Sequence, residues 1–421
     1  MARFFSAFFV VFALFSAAPS ISVSQNVVAG ADQTDLYLPL LKGKRVAAVV
    51  NQTSVVRCPD GTLTPLVDSL VHREVDIRFV MTPEHGLKGR VSAGAPVPDG
   101  YYDTDRKIAV RSLYGKTKKP AAEWLQEIDA VVFDIQDVGC RFYTYLSTLT
   151  LVMEACGEQH KELIVLDRPN PHDTIDGPML EAECKSFVGY VPVPLLHGCT
   201  LGELARMMAG EGWAGPEAPR LTVIPCSGWT HGQPYDLPIA PSPNLRSAQA
   251  IRLYPSLCLL EATDVSVGRG TPWPFEVIGH PRLKGPFDFT PRPCEAATDP
   301  LQNGHLCHGY DLRQREVALG FHLEWLQLCA DALGPGWIRQ PRFFDRLAGT
   351  PRLRTMMAEG TPEDAIRQSW QPALQQYRSM RDRYVLYRSG DEKAKPDSVE
   401  FDSEMLDSGL LDSGLLDSVV E

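Results

Sequence analysis

Short apolar runs alternate with helical patterns from Lys44 to Pro225, and nearly every apolar run ends in a cluster of polar residues. The clearest instance is Ala130 to Tyr145, AVVFDIQDVGCRFYTY. Ala130-Val131-Val132-Phe133 is apolar without alternation, which is what a strand covered on both faces requires. The run then turns polar at Asp134, Gln136, Asp137 and Arg141, around the turn residue Gly139. Only helices packed on both sides of a mainly parallel sheet bury such strands, so the pattern predicts an α/β fold with a Rossmann-like parallel sheet.

The other elements follow the same rhythm. Lys44–Val50 is strand-like and ends in Asn51-Gln52-Thr53-Ser54. Asp76–Met81 ends in Thr82-Pro83-Glu84-His85-Gly86, and Lys107–Val110 ends in Ser112-Leu113-Tyr114-Gly115. Glu162–Leu166 ends in Asp167-Arg168-Pro169-Asn170, and Arg220–Pro225 forms a sixth strand. Helices are predicted over Asp60–His72, where Leu63, Leu66, Val67 and Leu70 share a face, and over Pro120–Ile128 and Thr148–His160. A further helix starts after Thr200, which stands with Glu203 in capping-box spacing, so Glu203 is read as structural.

Ligands of open parallel sheets bind beyond the carboxyl ends of the strands. Four strand ends carry groups suited to that work: Asn51, Glu84-His85, Asp134-Asp137-Arg141 and Asp167-Arg168-Asn170. The plainer reading is that Asp134 or Asp137 caps the next helix and Arg141 pairs with it. Pro241-Ser242-Pro243-Asn244 is a stiff loop, and Gly268 and Gly270 flank Arg269, either to expose it to a ligand or in an ordinary turn.

The length, 421 residues, exceeds one typical domain. After about Glu276 the alternation fades into short strand-like pieces and a helical stretch, Gln314–Leu333, as in a smaller α+β domain. The expected organisation is a signal peptide over 1–24, the sheet domain over 35–275, the smaller domain over 276–388, and an acidic tail over 389–421 in which Leu-Asp-Ser-Gly-Leu occurs twice. The apolar run Phe4–Ala18 after Arg3 is too short to span a bilayer and fits a cleaved export signal, which predicts a secreted or periplasmic protein without membrane insertion. A net charge of −11 speaks against nucleic acid as a partner. No Cys-x-x-Cys pair occurs among the ten cysteines, so zinc spacing is missing and most are expected to be small buried residues. Gly-x-Gly-x-x-Gly, the P-loop and Gly-x-Ser-x-Gly are all missing, which argues against a nucleotide cofactor and a serine hydrolase.

Taken together, several segments resemble the exo-β-N-acetylmuramidases of the NamZ type. They are Thr-Pro-Glu-His-Gly (82–86), Ser-Leu-Tyr-Gly (112–115), Asp-Ile-Gln-Asp-Val-Gly-Cys-Arg-Phe-Tyr-Thr-Tyr (134–145) and Leu-Asp-Arg-Pro-Asn-Pro (166–171). Ser-Phe-Val-Gly (186–189), Pro-Ser-Pro-Asn (241–244) and Gly-Arg-Gly-Thr (268–271) continue the series, in order, from about Lys44 to Tyr387. The chain departs from the family pattern at Cys140, Asp264 and Val267, where alanine, asparagine and often glutamate stand. The resemblance implies a Rossmann-like catalytic domain, a smaller C-terminal domain, and a cleft between them. It also implies removal of terminal N-acetylmuramic acid from peptidoglycan-derived disaccharides and muropeptides, with no cofactor and no metal. Oligomeric state stays open.

Glycoside hydrolysis generally needs one carboxylic acid to protonate the leaving oxygen and a second carboxylate to attack or to activate water. Glu84 is the expected acid. Asp134 and Asp137 are the candidates for the second role, with Asp167 behind them, and one of these is expected to orient Arg141 or Arg168 instead. The lactyl carboxylate of muramic acid calls for a local cation, for which Arg141, Arg168 and Arg269 are available. Asn51, Asn170 and Asn244 suit sugar hydroxyls and the acetamide, and His85, Tyr143, His197 and Glu261 complete the expected contacts. A substrate-assisted route, in which the acetamide attacks, is an alternative. A silent muropeptide-binding protein and a nucleotide-sugar glycosyltransferase are the alternatives to hydrolysis.

Overall fold

The computed structural model describes residues 27–388; the expected leader and acidic tail lie outside them. A seven-stranded sheet forms the larger half. Its order is Arg220–Ile224, Glu162–Leu166, Ala130–Asp134, Arg45–Val50, Asp76–Thr82, Ile108–Ser112 and Tyr101–Asp103. All neighbours are parallel except the last pair, which adds an antiparallel edge strand. The chain thus builds outward from Arg45–Val50 in one direction and returns to build in the other.

Alternate residues of the central strands enter two different cores, as the two-residue period of a strand demands. Ala47, Val49, Phe79, Met81, Val131 and Phe133 face one side, under the helices Tyr145–Glu158 and Leu201–Gly210. Val46, Ala48, Val50, Val80 and Val132 face the other, under Thr34–Leu41 and Leu66–His72. Helix Tyr145–Glu158 is apolar around most of its circumference and buries twelve of its residues, the condition for a helix enclosed by protein.

Three predicted helices are shorter than the sequence suggests, the one expected over Pro120–Ile128 spanning only Ala122–Gln126. Leu63–Pro65 pairs as a short strand with Val55–Arg57, so the helix predicted from Asp60 starts at Leu66. The stretch Gln314–Leu323 is irregular, and only Glu324–Leu333 is helical. Tertiary partners compete there: Phe321 N donates to Asp176, His322 N donates to Ser256, and Gln249 donates to the carbonyls of Leu312 and Arg315.

The smaller half contains the antiparallel strands Val277–His280, Cys307–Asp311 and Phe287–Phe289, and four helices between Glu324 and Arg381. Its last helix, Glu363–Arg381, buries Ile366, Trp370, Leu374 and Tyr377, spaced to make one apolar stripe. The stripe belongs to the same core as the sheet. Tyr377 Oη donates to His197 O at 2.8 Å, and the chain then returns to the sheet, where Tyr387 Oη donates to Asp167. Among the described residues no helix is long and apolar enough to cross a membrane. All ten cysteines are unpaired and eight are buried.

Candidate active site

Register sets the site. Val50 lies beside Asp134 and Thr82 beside Ser112, so the segments after these strands emerge along one edge. Over part of that edge the smaller half leaves a cavity of about 460 Å³. Glu84, His85, Gly94, Tyr114, Phe142, Tyr143, Thr144 and Ser242 line it from the sheet half. Tyr254, Glu261, Arg269, Phe275 and the loop Ala296–Leu301 close it from the other side.

Glu84 sits in a tight turn after strand Asp76–Thr82, with Gly86 N donating to Pro83 O. One carboxylate oxygen accepts the Gly94 amide at 2.8 Å and the other accepts the Thr144 hydroxyl at 2.7 Å. A hydroxyl partner donates to a carboxylate and accepts from a carboxylic acid, so this arrangement accommodates Glu84 in either protonation state. Tyr114 stands beside it, its phenol pushed up by burial and then by the charge of Glu84. His85 adopts a left-handed backbone, φ 72°, which a non-glycine residue holds only under tertiary constraint. Its Nδ1 lies 2.7 Å from Val91 O, which fixes the Nδ1–H tautomer and leaves Nε2 as an acceptor. Burial lowers its pKa, opposed by Glu84, which favours the neutral ring.

Across the cavity Arg269 makes a two-point ion pair with Glu261 through Nε and Nη2, the latter at 3.1 Å. Burial works against the guanidinium's charge, but Glu261 more than offsets it and holds Arg269 cationic. Its remaining terminal nitrogen is uncommitted. Gly268 and Gly270 have φ of 83° and 78°, and a Cβ on either would approach a backbone oxygen to 2.5 Å. The glycines therefore serve close backbone packing that aims Arg269 inward. Phe142, Tyr143, Tyr254 and Phe275 give the cavity aromatic walls, with a Tyr143 hydroxyl that is buried and unpartnered.

The other expected residues lie behind these walls. Asp134 is fully buried, and Arg168 clasps it through Nε at 2.6 Å and Nη2 at 2.9 Å. Arg168 is thus the arginine that a strand-end aspartate orients, and neither group reaches the cavity. Arg141 is also misread in the sequence as an anion binder. It is fully buried and donates to the carbonyls of Pro178, Val193 and Leu347, tying the smaller half to the sheet half; burial pulls its pKa down to about 9. Asp137 accepts the Gly139 amide at 2.7 Å, and its Oδ2 lies 3.6 Å from Nε2 of the enclosed His197. Asp167 takes hydrogen bonds from Thr200, Tyr387 and the Gly202 amide, while burial pushes its carboxyl up to about 6. Asn51 accepts from Thr53, and Asn170 holds the turn before His172. Asn244 donates to Ala296 O at 2.8 Å, which anchors the cavity's loop. Glu203 completes the capping box with Thr200.

Thr144, Tyr114, Ser242 and Tyr254 are wall residues that the sequence reading passes over. The first three sit inside the motifs 134–145, 112–115 and 241–244, and nothing local separates them from structural neighbours.

A hydrogen-bonded carboxylate at a strand end, a cation held by a second carboxylate, and aromatic walls suit proton transfer to a sugar's bridging oxygen, the layout of a glycoside hydrolase. Sequence comparison specifies the family. The model described as "Exo-beta-N-acetylmuramidase NamZ, N-terminal" matches residues 46–249, and its C-terminal counterpart matches 252–387. The peptidoglycan beta-N-acetylmuramidase NamZ of Bacillus subtilis (strain 168) is 36% identical over 381 residues, covering 83% of this chain and 89% of that protein. Crystal structures of two DUF1343 family proteins from Bacteroides fragilis share the fold. One has a TM-score of 0.78 at 38% identity and covers 87% of this chain and 100% of its own. The other has a TM-score of 0.74 at 28% identity and covers 86% and 100%. The chain belongs to the exo-β-N-acetylmuramidase NamZ family.

Proposed function

We infer that this chain is an exo-acting glycoside hydrolase that releases terminal β-linked N-acetylmuramic acid from the non-reducing end of peptidoglycan fragments, with Glu84 as the general acid. The observation that carries the assignment is the position of Glu84 on the cavity wall, with Thr144 on one oxygen and the Gly94 amide on the other. In this reading Glu84 protonates the leaving oxygen. Arg269 meets the lactyl carboxylate with its uncommitted nitrogen, and Glu261 keeps that guanidinium aimed. The aromatic walls pack the sugar faces.

The second carboxylate role does not pass to Asp134 or Asp137, which lie behind the wall. Glu261 is on the wall, but Arg269 engages both its oxygens. That favours the substrate-assisted route, in which the acetamide attacks the anomeric carbon. The N-terminal apolar run is read as an export leader that brings the enzyme to its substrate outside the cytoplasm.

The test is to incubate the purified protein with a β-N-acetylmuramide chromogen and identify the released sugar. Free N-acetylmuramic acid from chain ends alone is expected. Binding without turnover would leave a silent muropeptide-binding protein, and mid-chain products from intact glycan strands would exclude exo action. Fluorination of the acetamide should slow the reaction steeply if that group attacks, and leave it nearly unchanged if a carboxylate does.

A further inference from the structure

A second, smaller cleft of about 300 Å³ adjoins the cavity and shares two wall residues with it, Ser242 and Ala296. Its chemistry is different. Two arginines, Arg90 and Arg246, face it, with Glu295 as the one carboxylate on its wall. Arg90 rides on the loop that presents Glu84, its amide donating to His85 O at 3.1 Å. Arg246 follows the loop 241–244 and donates through Nε to Pro243 O at 2.6 Å, which fixes the stem and leaves its terminal nitrogens uncommitted. Among the described residues neither guanidinium is paired with a carboxylate. Gln52 also lines the cleft. Its amide nitrogen donates to the carbonyls of Ala240 and Pro241, and its Oε1 is buried without a partner. Two uncommitted guanidiniums facing one cleft, in a chain whose net charge is −11, point to an anionic ligand.

We propose that this cleft is a leaving-side subsite that takes the carboxylate-bearing substituent of a sugar beyond the one being expelled. The proposal rests on the exo-muramidase reading above. Exo cleavage leaves only the terminal sugar in the cavity, so the remaining chain must leave through an adjoining opening. In a polymer that alternates two amino sugars, the lactyl group recurs on every second one. The carboxylate offered there is either that of the lactyl group itself or that of a stem peptide built on it, and both present the same group to Arg90 and Arg246.

The experiment compares wild type, Arg90→Gln, Arg246→Gln and the double variant on four substrates. These are the chromogen, the muramyl-glucosaminyl disaccharide, the corresponding tetrasaccharide, and a tetrasaccharide bearing stem peptides. Wild type is expected to show a KM several-fold lower for a tetrasaccharide than for the disaccharide. Each substitution should raise the tetrasaccharide KM by about 3- to 5-fold, the size of an exposed charge contact, and 0.5 M salt should erase the preference. Chromogen kinetics should not move, which also shows that the variants are folded. A preference present without stem peptides identifies the lactyl carboxylate; one that needs them identifies the peptide. A wild type that prefers no tetrasaccharide, or variants that keep the preference, or variants that slow the chromogen equally, would overturn the subsite. A wild type that leaves the chromogen intact sinks the exo-muramidase reading itself, which is a separate outcome.

Discussion

Glu84 and Asp134 leave the same edge of one sheet, two strands apart, yet their surroundings have little in common. Glu84 faces a cavity, its oxygens bonded to an amide and to a hydroxyl that can reverse its role. Asp134 faces a guanidinium in a fully enclosed pair, and Arg168 spends its remaining reach on Val55 O. The first arrangement accommodates a carboxylate or a carboxylic acid. In the second, neutralising either partner leaves the other's charge unpaired in the interior. Polar residues at strand ends thus do two jobs in this molecule. Which job a residue has depends on whether the smaller half leaves space above it.

The sharpest way to break this contrast is at Glu84. Glu84→Gln is nearly isosteric and should keep the melting temperature, while kcat on the disaccharide falls about 10²- to 10⁴-fold. The loss should shrink for an aryl glycoside whose leaving group needs no proton. Near-normal turnover of the disaccharide would remove Glu84 from the chemistry.

Asp134→Asn should show the converse. Unfolding by denaturant is expected to report a loss of about 3–5 kcal/mol, because Arg168 is left buried and uncompensated. Activity per folded molecule should persist. A stable but inactive variant would place Asp134 in the reaction and erase the distinction between the two regions.

Arg269 lies between these extremes, being ion-paired yet on the cavity wall. Arg269→Met should raise KM for muramides by about 10- to 100-fold, the worth of a charged hydrogen bond. A substrate analogue whose lactyl carboxylate is esterified should feel much less of this. Equal losses on both would mean that Arg269 supports the wall through Glu261 and does not bind the ligand.

The smallest expected effect tests the seam where the smaller half meets the sheet half. Burial disfavours the charge of His231, but hydrogen bonds to Asp173 at 2.6 Å and Glu203 at 2.8 Å raise its pKa to about 9. A group raised on folding stabilises fully below its unfolded pKa, about 6.5, and loses that contribution as pH rises through the folded value. Unfolding free energy should therefore drop by roughly 1–3 kcal/mol between pH 6.5 and 9.5. His231→Asn should flatten the slope, and a variant with the same slope as wild type would assign the titration to another group.

Much of the frame was legible before any coordinates. The unbroken apolar runs at Ala130–Phe133 and Leu163–Leu166 specify strands covered on both faces, and the capping box at Thr200 and Glu203 formed as its spacing predicts. Glu84 stood out because its turn follows a strand directly. The helix expected from Asp60 and the one expected from Gln314 misled for a common reason: local periodicity was overridden by partners remote in sequence. Leu63–Pro65 found a neighbouring strand, and the backbone amides of Phe321 and His322 found Asp176 and Ser256.

The alternation of the sheet's parallel strands with helices, and the place of Glu84 directly after a strand, were determined by the sequence, because period and strand polarity are local properties of the chain. What only the tertiary structure decided is which of several like residues meets solvent. Arg141, Arg168 and Arg269 have the same side chain and similar strand-end or loop settings. Three carbonyls enclose the first, Asp134 encloses the second, and the third keeps a nitrogen in the cavity. Burial is a property of the assembled fold: Arg269 finds Glu261 within 8 residues, but Arg168 reaches back 34 residues to Asp134 and Arg141 as far as 206 residues to Leu347, beyond any local window.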